Sequence, residues 1–88
     1  MSTEDEYTEL FVIEFEGLLN DLKSYLESLD GVEHFSLKRS GFRLHDGSEF
    51  ENPVTLQADI KYNTHVTDRT RVMLELEELG GVSEAKMG

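Results

Sequence analysis

The chain has 88 residues, of which 38% are hydrophobic and 9% aromatic, enough for one small globular domain and too much for a disordered tail. Its net charge is −11 and it has no cysteine, which excludes disulfides and thiolate metal sites and argues against direct nucleic-acid binding. No apolar run approaches the ~18 residues of a membrane-spanning helix and the start lacks a signal-peptide layout, so no membrane insertion and a cytoplasmic location are expected.

Residues 1–7 are acidic and polar and read as a flexible N-terminus ahead of a single domain over 8–88. ELFVIEF (9–15) reads as a strand, with Phe11, Ile13 and Phe15 on one face and Leu10 and Val12 on the other. Apolar residues on both faces place such a strand in the middle of a sheet. Gly17 breaks it. Leu18, Leu19, Leu22, Leu26 and Leu29 then follow helical spacing, with Asn20, Asp21, Lys23, Ser24 and Glu27 opposite. Gly31 suits the left-handed conformation that ends a helix. A second strand is expected over Val32–Arg39, prolonged after a bend by GFRL (41–44), and Asp46-Gly47 marks a turn. Val54, Leu56, Ala58, Ile60 and Tyr62 alternate with polar residues, a strand with one buried face and Pro53 at its start. Thr67-Asp68 opens a second helix with Val72, Leu76 and Leu79 inward, and Gly80-Gly81 ends it. Ser83, Ala85 and Met87 give the inward side of a last strand.

One phrase occurs twice: Leu-Glu-x-Leu-x-Gly-Val, at 26–32 and at 76–82. At both places a helix closes, the chain turns on glycine and a strand opens. The repetition therefore marks two β-α-β halves. The expected fold is α+β: a ferredoxin-like βαββαβ sandwich, a four-stranded antiparallel sheet with two helices on one face. Its open face would present Leu10, Val12, His34, Ser36, Thr55, Gln57 and Asp59.

FEGLL (15–19), VTLQADI (54–60) and the second copy of the phrase, ending at Val82, resemble ACT-type regulatory domains. The likeness covers residues 8–87, and the cytosolic domain of MgtC/SapB-type membrane proteins is similar too. The resemblance implies a non-enzymatic regulatory or protein-interaction module that forms a homodimer or joins a larger protein partner. It also implies a small-molecule effector near the first strand-to-helix turn.

At that turn Glu16, Gly17, Leu18 and Leu19 are the candidate ligand-binding residues. The glycine permits close backbone approach, and a helix N-terminus offers free N–H donors. Leu10 and Val12 on the open face, with the basic Lys38 and Arg39, are the candidate interface, and Arg43 extends the basic patch. His45, Asp46, Glu49 and Glu51 gather on one hairpin without a recognised metal-ligand spacing. No nucleophile motif or phosphate-binding glycine loop occurs, so neither an enzyme nor a cofactor is expected. Residues 1–33 carry a net −9, residues 34–74 a net +1 and the rest −3. That asymmetry supports an alternative, an acidic inhibitor or nucleic-acid mimic that engages a basic partner through Glu4, Glu6, Glu9 and Glu27.

Overall fold

The computed structural model describes residues 5–88. In chain order it comprises β1 (Glu6–Leu18), α1 (Leu19–Ser28), β2 (Val32–Arg39), β3 (Phe42–Arg43), β4 (Glu49–Asn63), α2 (Arg69–Glu78) and β5 (Val82–Met87). It is an α+β structure with one antiparallel sheet of five strands in the order β3-β2-β4-β1-β5. The expected count was four. The fifth strand arises where GFRL was taken to prolong β2. Ser40 and Gly41 both have positive φ, 52° and 81°, the requirement of a two-residue hairpin turn. The chain folds back there, and Phe42 and Arg43 pair with Arg39 and Lys38.

Phe11, Ile13 and Phe15 of β1 and Leu56, Ala58, Ile60 and Tyr62 of β4 point to one side of the sheet. Leu19, Leu22 and Leu26 of α1 and Val72 and Leu76 of α2 complete the core on that side. Both helices are amphipathic at helical spacing, and each buries its stripe against the sheet. The registers place Leu10, Val12, Ser36, Gln57 and Asp59 on the opposite, open face, as alternation predicts.

Four local readings are corrected. Leu18 belongs to β1 and is 43% exposed, because the strand continues past the Gly17 irregularity. Glu6 and Tyr7, expected in a flexible tail, pair with Asn63 and Tyr62; residues 1–4 of that tail lie outside the described residues. Pro53 sits inside β4, which begins at Glu49. It falls where the β1 register slips between Phe15 and Gly17, and the β2 ladder reaches only as far as Gln57, so its missing N–H removes no ladder bond. In β5 the inward residues are Val82 and Ala85, while Ser83 and Met87 are exposed. Phe15 pairs with Val82 but Glu14 with Glu84, so a bulge at Ser83 resets the alternation.

Candidate functional site

The first strand-to-helix turn is occupied by the protein's own backbone. Glu16 N–H donates to Gly81 O at 2.8 Å, and Leu19 N–H donates to Ser48 O at 2.8 Å. Gly17 supplies φ = 129°. Glu16 and Leu18 are exposed and Leu19 is buried, so these candidates do not converge on one cavity. Leu19 alone contributes to one, a cleft of about 270 Å³ between α1 and β2.

The apolar lining of that cleft is Leu19, Phe35, Leu37 and Leu44; its polar lining is Lys23, His34, Ser36 and Arg43. The β3–β4 loop closes one end. Lys23 Nζ donates to Asp46 Oδ1, and Gly47 N–H donates to Asn20 Oδ1 at 3.2 Å, so both bonds tie the loop to α1. The Lys23 ammonium holds the Asp46 carboxyl below the usual carboxylate range. Ser48 N–H and Oγ both bond His45 O, which fixes the turn itself.

Beside the cleft lies the basic patch. Lys38 stands directly opposite Arg43 across the β2–β3 pair, an arrangement of like charges that disfavours the pairing. Neither they nor Arg39 form an ion pair among the described residues. Arg39 instead lies 5.7 Å from the centre of the Phe50 ring, which packs edge-on against Phe15. No Asp or Glu occurs between Glu33 and Asp46 in a chain of net −11.

The candidate interface residues fall in two groups. Val12, Gln57 and Lys38 lie in one row across the open face, with Lys86 beyond Val12. Gly88 N–H donates to Leu10 O at 3.0 Å, and a Cβ at Gly88 would come within 3.1 Å of Val12 Cγ2. The last residue thus rests against Leu10 and Val12. Arg39 is drawn to the Phe50 ring.

The acids are dispersed. Glu6 lies beside Glu33 and pairs with Lys61 at 3.0 Å; the interaction between the two carboxyls, ahead of Lys61, lowers the Glu6 pKa and raises that of Glu33. Glu9 turns toward the helices, its Oε1 4.0 Å from Arg69 and without a hydrogen bond. Glu27 is exposed on α1, and Glu4 lies outside the described residues. A second cavity of about 140 Å³ is lined by Asp30, Val66, Thr67, Arg71 and Glu75; the buried Thr67 hydroxyl and Glu75 Oε1 have no hydrogen-bond partner among the described residues. Among the described residues no three His, Cys, Asp or Glu side chains gather to hold a metal ion, and no helix is long and apolar enough to cross a membrane.

Sequence reasoning found Arg43 as part of a basic patch but missed Lys23 and Leu44 as its neighbours. The available signal was the acid-free run from 34 to 45. Comparison with protein-family models, with curated proteins and with solved structures finds no match.

Proposed function

We propose that the chain is a non-enzymatic interaction module that takes an anionic ligand or an acidic partner in the cleft between α1 and β2. The observation that carries this reading is a cation, Arg43, that lines an apolar cleft on a strongly acidic chain and forms no ion pair among the described residues, with Lys23 on the facing wall. Arg43 also stands opposite Lys38 across the β2–β3 pair, like charges that cost stability, and an anion bound at Arg43 offsets part of that cost. Apart from β3, the strand order and the two helices support the ferredoxin-like reading, with β3 as an added edge. The likeness to ACT-type domains supports a regulatory role, with the ligand beside the first turn rather than in it.

Ligand-induced stabilisation tests this. At roughly 100 times Kd a ligand adds about 2.7 kcal/mol, so a pool of dicarboxylates, acidic amino acids and nucleotides should contain one that raises Tm. Arg43→Gln should erase the increase. A pool that leaves Tm unchanged counts against the reading.

One observation favours the acidic-mimic alternative: Glu14 and Glu84 stand opposite each other on β1 and β5. That reading requires a basic partner whose affinity falls when both become Gln.

A further inference from the structure

The charges beside the cleft have a companion in the backbone. β2 is eight residues long, and β4 covers one side of it. On the other side β3 covers only Lys38 and Arg39. Along residues 34–37 the alternate N–H and C=O groups that point away from β4 have no partner among the described residues. Such a row is a template for another extended chain.

Edge strands are commonly guarded by charge. Here the placement is wrong for a guard. The open stretch, His34, Phe35, Ser36 and Leu37, contains no Lys, Arg, Asp or Glu. The cations stand one step further on, at Lys38, Arg39 and Arg43, where β3 already closes the edge. At the other end stands the acidic Glu33, beside Glu6. The edge therefore runs from an acidic end through a neutral opening to a cationic end, with the apolar cleft alongside.

We infer that this edge receives an extended acidic peptide segment, which pairs with residues 34–37 of β2, sets an aliphatic side chain into the cleft and places its acids at Lys38 and Arg43. The inference rests on the anion-binding reading of the cleft and adds to it the nature of the partner. A second copy of the chain is disfavoured by charge, since each copy brings a net −11. A separate short peptide carries no such penalty. The sheet is antiparallel throughout, so the peptide's acidic end is its N-terminal end.

The test uses the full chain, isotope-labelled, and a capped hexapeptide EEITVT. Two controls accompany it: KKITVT reverses the charge, and EEIPPT removes N–H donors in both alternations. The expected result is amide shifts at 34–39 and 43–44, slowed hydrogen exchange along 34–37, and binding weakened roughly tenfold or more in both controls and in Lys38→Gln/Arg43→Gln. Binding of EEIPPT equal to that of EEITVT overturns the strand pairing, while glutarate shifts at Lys23 and Arg43 in the same samples would keep the anion-binding reading. No shift with the peptides or with glutarate overturns both. A dimer in sedimentation whose free chain already protects residues 34–37 also overturns the inference, because the edge is then filled by a second copy.

Discussion

The two copies of Leu-Glu-x-Leu-x-Gly-Val build the same joint from the same hydrogen bonds. Leu29 N–H donates to Leu26 O, and Val32 N–H to Leu29 O; Leu79 N–H donates to Leu76 O, and Val82 N–H to Leu79 O. Yet the shared glycine serves two different needs. Gly31 has φ = 89°, where a side chain is strained, and a Cβ there would also meet Thr67 Cγ2 at 2.8 Å. Gly81 lies so close to β1 that a Cβ would meet Glu16 O at 2.4 Å and the Phe15 ring at 2.7 Å. Gly80 has open space around it. Gly81→Ala should therefore cost ~1–3 kcal/mol by overpacking. Gly80→Ala should be neutral or stabilising by up to ~1 kcal/mol. Chemical denaturation of the pair checks both, and equal effects would mean that the contact to β1 is misplaced. The phrase was legible as a helix stop, but the reason for its second glycine was not, because the neighbour it touches is 65 positions away. Asp46 adds a pH-dependent contact. Its carboxyl titrates lower in the folded chain than in the unfolded one, chiefly through the bond from Lys23. The loop clamp is thus complete above the ordinary aspartate range and is lost as pH falls through the depressed value. A carboxyl NMR titration should show the low value, and Lys23→Met should restore the ordinary one.

Among the elements, the second half of β4 and the helix stripes from Leu19 onward could be read directly because period and burial agree there. Leu22 and Leu76 are fully buried on the inward stripes of α1 and α2. Replacing either with Ala should cost ~2–5 kcal/mol in a denaturant melt. A loss far below 1 kcal/mol would mean that the helix does not pack as described. β3 and the first part of β4 were not legible. A two-residue strand has no period, and the EFENP stretch before the alternating run looks like loop because Pro53 and two acids interrupt it. Only long-range pairing with Gly17 and Leu18 makes a strand of it. The cleft was hidden for the same reason. Lys23, Phe35 and Arg43 come from three elements, and the loop bonds that bring them together have no local signature.

Charge acts on the whole molecule. The net −11 repels itself, and α2 adds a local conflict. Arg69 and Arg71 stand in its first turn, and Glu77 and Glu78 in its last, each at the unfavourable end of the helix dipole. The Asp68 side chain, accepting from Arg71 N–H at 2.8 Å, is the compensating cap. Screening should therefore stabilise the fold: raising salt from ~10 mM to ~1 M shortens the Debye length from about 30 Å to about 3 Å, and Tm should rise. A Tm that is flat or falling with salt would contradict this.

The claim that this cleft is where the chain binds is tested most directly by an amide-resolved NMR titration against amino acids, dicarboxylates, nucleotides and divalent cations. The account predicts that an anion shifts the amides of Leu19, Lys23, residues 34–37, Arg43 and Leu44 together, and that Arg43→Gln abolishes the shifts. Shifts confined to residues 16–18, or to the cavity of Thr67 and Glu75 with the cleft silent, would contradict it.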